Sequence, residues 1–170
     1  AVIDAVRRAR MVCLCPPNTP TGNLLDDPAM LSIGAALASH ALVCVDEAYL
    51  EFTNRASLTE RLEEHPNLVV LRTLSKAYAL AGARLGTLIA SEDVVGLLKR
   101  IIPPYAIPAS TIEQVLALTE APQRAMAAAR IRTLVEERKR TAARLQRMDC
   151  VARVHASDAN FLLVEFRDAG

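Results

Sequence analysis

Residues 67–86 read NLVVLRTLSKAYALAGARLG: an apolar run that stops at hydroxyls and a lysine, then restarts at an arginine. A short apolar stretch rich in β-branched carbons and closed by polar residues predicts a strand over residues 67–73. A second one is predicted over RLGTLIAS, residues 84–91, with a short helical turn between them. Working outward, ALVCVD at 41–46 and MVCLC at 11–15 have the same character, the first closed by an acid and the second by a Pro-, Asn-, Thr- and Gly-rich turn. Between these two runs a helix is expected from about Pro28, with Asp27 as its cap and the proline at its first position. SLTERLEEH at 57–65 opens with Ser57 and Glu60 three apart, the spacing of a capping box. Strands and helices alternating at these intervals predict an α/β fold with a mostly parallel sheet and flanking helices. Strands covered on both faces would explain apolar runs without alternation.

Downstream of Ser91 the pattern changes. A helix over about 92–101 should stop at Pro103 and Pro104, and PPYAIPAS reads as a loop. A helix near 111–120 precedes a long charged one over about 122–148, whose arginines, lysine and glutamates are expected to form a solvated face. Two short strands, near Val151 and over 160–166, close the chain. The expected division is residues 1–121 in one unit, and a connecting helix with the start of a small α+β domain in residues 122–170.

Composition narrows the functional classes. The 170 residues allow one domain or one and a fraction, with enough chain for a sizeable core. Twenty basic residues against nineteen acidic ones leave a net charge of +1, which removes the electrostatic case for nucleic acid or an anionic membrane. The absence of Trp leaves few stacking platforms for single strands. Residues 28–45 are too interrupted for a membrane span, and no signal peptide is visible at the N-terminus, so a cytoplasmic protein is expected. Cys13, Cys15, Cys44 and Cys150 are expected to be reduced thiols, mostly in the core. His40, His65 and His155 share no metal spacing, and no metal site is expected.

In an open parallel sheet, ligands bind beyond the carboxyl ends of the strands. There the sequence places PPNTPTGN (16–23), then Asp46 and Tyr49, then Thr73, Ser75 and Lys76, with Arg84 opening the fourth strand. An acid, a phenol, hydroxyls, a lysine and an arginine on one sheet edge suit a ligand with an electron-poor ring, an aldehyde and a phosphate. Pyridoxal 5′-phosphate has all three. A lysine amine can bond the aldehyde, a carboxylate can keep the ring nitrogen protonated, and a guanidinium with hydroxyls can hold the phosphate. Arg72 lies inside the same run, but it is read as pairing with a neighbour.

DEAYLEF at 46–52 and LRTLSKAYALAGARLG at 71–86 resemble the signatures of the histidinol-phosphate aminotransferase family, one of the fold-type I pyridoxal-phosphate enzymes. PNTPTGN resembles that family's PNNPTG turn, and SDANFLLVEF resembles a strand of its small domain. The resemblance implies that Lys76 carries the cofactor, Asp46 faces the pyridine nitrogen and Tyr49 faces the ring hydroxyl. By the same resemblance Thr73, Ser75 and Arg84 form the phosphate cup, and Asn160 binds substrate. The implied reaction moves an amino group from histidinol phosphate, or a similar donor, to 2-oxoglutarate in histidine biosynthesis. Small-molecule substrates and a homodimer are implied partners, with neither nucleic acid nor membrane.

Two departures matter. The residue before the Pro-Thr-Gly turn is normally Asn, whose amide reaches the ring hydroxyl. Here it is Thr19, with Asn18 one place earlier, so either residue could make that bond. The chain is also less than half the family's usual length, and the expectation is a fragment that lacks the aromatic over the ring and the arginine for the substrate carboxylate. Alone, it is expected not to transaminate. The alternatives are threonine-phosphate decarboxylase or another fold-type I enzyme and, from a different class, an inactive interaction module.

Overall fold

A computed structural model describes residues 3, 6 and 8–167. The apolar runs become β1 (Met11–Leu14), β2 (Leu42–Asp46), β3 (Leu68–Thr73) and β4 (Gly86–Ala90), hydrogen-bonded in that order in one sheet. β1, β2 and β3 are parallel, with Cys13, Cys44 and Val69 in one row across them. β4 runs antiparallel to β3, Thr73 standing opposite Gly86. The sheet is therefore mostly parallel, as expected, with one reversed margin. The reversal has a local cause: the β3–β4 connection holds only a single 3-10 turn, Ala81–Ala83, and not the helix that a parallel crossover uses. Ala79 and Arg84, on either side of that turn, both adopt left-handed backbone angles, with φ of 56° and 52°.

Helix α1 (Asp27–Leu37) connects β1 to β2. Its cap is Asp26 rather than Asp27, and it makes no side-chain capping bond. Asp27 lies in the first turn, where a carboxylate complements the helix dipole and also meets the Arg55 guanidinium. Met30 and Leu37 from α1 join Val12, Val43, Val45, Leu58, Leu68 and Val70 in the main core, each almost fully buried. Burying side chains of this size stabilises the fold by roughly 1.5–3 kcal/mol apiece.

The expected helix over 57–65 is a single 3-10 turn, Leu58–Arg61. The Ser57 hydroxyl accepts from the Thr59 amide, as a cap should, but its own proton goes to Glu47. The expectation that the cysteines lie mostly in the core also needs correction. All four are free, but only Cys44 is buried, whereas Cys15 is half-buried and Cys13 and Cys150 are exposed. β1 alternates between exposed and covered residues, so just one of its faces meets the core.

Beyond the sheet come α2 (Glu92–Lys99), α3 (Ala109–Thr119) and α4 (Ala121–Leu145). Most of the charged residues of α4 face solvent, but the Arg138 guanidinium turns inward and donates to the Ala159 carbonyl. β5 (Val151–Val154) and β6 (Val164–Phe166) form an antiparallel pair. β6 is shorter than the expected run over 160–166, because residues 160–162 instead line a cavity against α4. No described helix is long and apolar enough to cross a membrane.

Candidate active site

Alternation along each strand decides which side chains reach the site. In β2, Val43 and Val45 point into the core, so Cys44 and Asp46 point to the opposite face. The register pairs Asp46 with Leu71, and Thr73 follows on that same face. Asp46, Leu71, Thr73 and Leu88 accordingly line one cavity of about 340 Å³ at the carboxyl end of β2 and β3. One Asp46 oxygen accepts from the Ala48 amide at 3.0 Å, which fixes the carboxylate's orientation and leaves its second oxygen without a partner among the described residues.

The turn after β2 continues into a 3-10 turn, Leu50–Phe52, and presents Tyr49. The Lys76 ammonium lies 5.4 Å from the centroid of the Tyr49 ring, within range of a cation–π contact. On its other side, Tyr49 meets the Phe161 ring edge-on, with centroids 5.3 Å apart. Thr73 and Ser75 are joined hydroxyl to hydroxyl at 2.9 Å, and the Ser75 amide donates to Thr73 Oγ1 at 3.1 Å, so the two hydroxyls form one small polar cup. Lys76 follows immediately and is exposed.

The other candidate residues are placed less directly. Arg84 is exposed, bonded to the Ala81 carbonyl at 3.0 Å, and lies two residues before Gly86, the partner of Thr73. Asn18 donates its side-chain amide to Thr21 at 2.7 Å, inside the turn, while Thr19 is exposed. Asn160 lines a different cavity, of about 350 Å³, with Leu134, Arg138, Leu145 and Leu162. The structure thus groups Asp46 with Thr73 and Ser75, and Lys76 with Tyr49, while Asn160 lines the α4 cavity next to Phe161, the ring that packs on Tyr49.

The turn itself is tied to the C-terminal segment. The peptide bonds preceding Pro17 and Pro20 are cis, and Gly22 has φ of 75°, a region that glycine enters without strain. Gly22 also lies where a Cβ would run into the Ser157 side chain, and its carbonyl accepts from the Asp158 amide at 2.7 Å. Sequence reasoning did not find this contact, nor the one between Phe161 and Tyr49.

It also missed Glu47. This carboxylate is 2% exposed and accepts from the Leu58 amide at 2.8 Å, from Ser57 Oγ at 2.6 Å and from Arg72 at 3.5 Å. Parity would have found it. Glu47 directly follows Asp46 and so lies on the core side of the strand, where a charge requires partners, and Arg72 has the same parity on β3. Nearby, burial and the Glu51 carboxylate raise the Tyr78 phenol above its ordinary range. Burial and the Asp46 charge likewise raise the Cys15 thiol. Among the described residues no group of three or more His, Cys, Asp or Glu could hold a metal.

The chain is similar to known proteins over nearly its whole length. Residues 1–169 match the family described as Aminotransferase class I and II. A histidinol-phosphate aminotransferase from Stenotrophomonas maltophilia is 42% identical over 99% of the chain and 47% of its own length. Among solved structures, a histidinol-phosphate aminotransferase from Sinorhizobium meliloti in complex with pyridoxal-5'-phosphate superposes with a TM-score of 0.83. It is 26% identical, over 96% of this chain and 44% of that one. L-threonine-O-3-phosphate decarboxylase from Porphyromonas gingivalis superposes equally well, at 0.83 and 25% identity over 95% of this chain and 49% of that one. The chain spans about half the length of the curated relatives it matches.

Proposed function

The chain belongs to the class I and II aminotransferases, and from that premise we propose that it carries part of a pyridoxal-phosphate site for amino transfer from histidinol phosphate, or a similar amino donor, to 2-oxoglutarate. The observation that supports it most is the convergence of Asp46 and Thr73 on one cavity, together with the contact between Lys76 and Tyr49. The donor set suits the cofactor. Asp46 offers an unpartnered carboxylate oxygen to a protonated ring nitrogen, the Thr73–Ser75 cup and Arg84 offer hydroxyls and a guanidinium to a phosphate, and Lys76 offers an amine. When bound, pyridoxal phosphate supplies an aldehyde for amine exchange and a ring that withdraws electrons from the substrate's α-carbon.

This chain's own residues then have distinct tasks. Asp46 holds the ring nitrogen's proton by charge, fixed in orientation by the Ala48 amide. Tyr49 would hydrogen-bond the ring hydroxyl, and either Asn18 or Thr19 could add a second bond there. Lys76 would hold the cofactor through Nζ, and the same amine, when free, could take and return a proton. Asn160 would contact substrate, next to Phe161, which packs against Tyr49. The reading extends to a cytoplasmic homodimer acting on small molecules, and to a division into a cofactor-binding unit, residues 1–121, and the start of a small domain, residues 122–170.

The test uses a protein of the relatives' full length carrying these residues. Borohydride reduction with cofactor bound, followed by peptide mapping, should place the added mass on Lys76, and mass on Lys99 or Lys139 would overturn the assignment. Lysine-to-alanine replacement at 76 should remove the label and turnover together. Decarboxylation is the second reading, kept by the superposition on the Porphyromonas gingivalis enzyme. Carbon dioxide in place of an oxo acid among the products would select it.

A further inference from the structure

We propose that Arg72 is a positioning residue, whose guanidinium clamps the turn carrying Tyr49 onto the strand that leads to Lys76. The inference rests on the roles just given to Tyr49 and Lys76, and it adds a residue that borders the Asp46–Thr73 cavity and acts through its grip on the Tyr49 turn. Its basis is a salt bridge with two arms. Arg72 Nη1 is 3.5 Å from Glu47 Oε2, and Nη2 is 2.5 Å from Glu51 Oε1. Glu47 and Glu51 stand on either side of residues 48–50, with Tyr49 in the middle. One guanidinium on β3 therefore grips both ends of a turn that follows β2.

The surroundings make this grip specific. Glu47 and Glu51 are 2% and 11% exposed at the side chain, so neither carboxylate is well served by water. Glu47 has two further donors, Ser57 and the Leu58 amide, and would remain partly satisfied without Arg72. Glu51 would not: its other oxygen, Oε2, is buried and has no hydrogen-bond partner among the described residues. Losing the arginine would leave that carboxylate to pull away toward solvent, and the Leu50–Phe52 turn would move with it. Within that turn, Leu50 and Phe52 donate to the Glu47 and Tyr49 carbonyls at 3.1 Å, so displacement at Glu51 reaches Tyr49 through the backbone. A lysine cannot replace the arginine here, because one ammonium cannot span two carboxylates in the planar, forked way that a guanidinium does.

A double-mutant cycle on the full-length holoenzyme tests the proposal. Tyr49→Phe should change the visible absorption of the bound cofactor, and Arg72→Lys should reproduce that change in direction. The Arg72→Lys/Tyr49→Phe double variant should show little beyond Tyr49→Phe alone. Turnover in Arg72→Lys should fall by about tenfold, the scale on which supports of a binding residue act, with KM for the amino donor altered far less. Glu51→Gln takes the charge from one arm, keeps the volume and guards against a folding failure, and it should shift the spectrum in the same direction by less. Additive spectral changes in the double variant, or an unaltered spectrum in both Arg72→Lys and Glu51→Gln, would overturn the clamp while leaving Tyr49 in its role. An unaltered spectrum in Tyr49→Phe itself would instead remove the role of Tyr49, and the clamp's function with it.

Discussion

The two faces of the four-stranded sheet are drawn from alternate residues of the same strands, yet they differ in nearly every physical respect. The face toward α1 presents Val12, Val43, Val45, Leu68 and Val70, all aliphatic and almost fully buried. The opposite face presents Cys13, Cys44, Asp46, Leu71, Thr73 and Leu88, whose exposure runs from buried to open and which include the acid and a hydroxyl of the site. Stability and chemistry are thus separated by a single step along the backbone. A one-residue slip of β2 against its neighbours would turn Asp46 into the aliphatic core and Val45 into the cavity, so the register that buries the core also aims the Asp46 carboxylate at the cavity.

The sharpest way to break this comparison is to damage each face in turn. Asp46→Ala in a full-length chain should lower turnover at least a hundredfold, equivalent to about 3–5 kcal/mol on the barrier, with the unfolding midpoint nearly unchanged. Leu37→Ala should do the reverse. A fully buried leucine replaced by alanine costs about 2–5 kcal/mol of stability, read by urea unfolding, and should leave the bound cofactor's absorption where it was. If both variants lost stability and activity in proportion, the faces would not be independent.

Gly22→Ala comes next in size. The positive φ and the collision with Ser157 together should cost about 1–3 kcal/mol, and part of that loss should appear as weaker docking of residues 157–161, measured by faster amide exchange at Asp158.

The smallest effect concerns the thiol on the open face. Burial first, then Cys13 and Asp46, push Cys44 up from 9.0 to about 11. The folded state therefore holds this proton more tightly than the unfolded state. The resulting stability is fully present below pH 9 and is lost as pH rises toward 11. Urea unfolding at pH 8 and pH 10.5 should show a larger loss in the natural chain than in Cys44→Ala, and equal losses would remove the thiol from the account.

The sequence made some of this legible and concealed the rest for identifiable reasons. Residues 41–46 and 67–73 differ from β2 and β3 by a single residue at their starts, because a short apolar run bounded by polar residues has few other ways to fold. Asp46 and Lys76 were readable because each closes or follows such a run. The direction of β4 was not, since composition carries no strand polarity. It follows from a connection that holds one 3-10 turn and no crossover helix, flanked by two left-handed residues, Ala79 and Arg84, neither of which is a glycine. Arg72 was read as pairing with a neighbour, and it does, but that its partners are Glu47 and Glu51 lay hidden in a strand register that the chain alone does not display. Phe161 was hidden for a similar reason, its partner Tyr49 being far away along the chain and near only after folding. Asn160 entered through resemblance, and the structure places it by α4, not beside Asp46.

The strand order leaves β1 and β4 at the two margins of the sheet, each with a hydrogen-bonded neighbour on one side only among the described residues. β1 begins at Met11, whose side chain is 60% exposed, and nothing in its four residues carries a charge or a proline to discourage further pairing. Such an edge invites another backbone. When these 170 residues are made by themselves, the amide row along β1 governs how concentrated they can become before chains begin to pair.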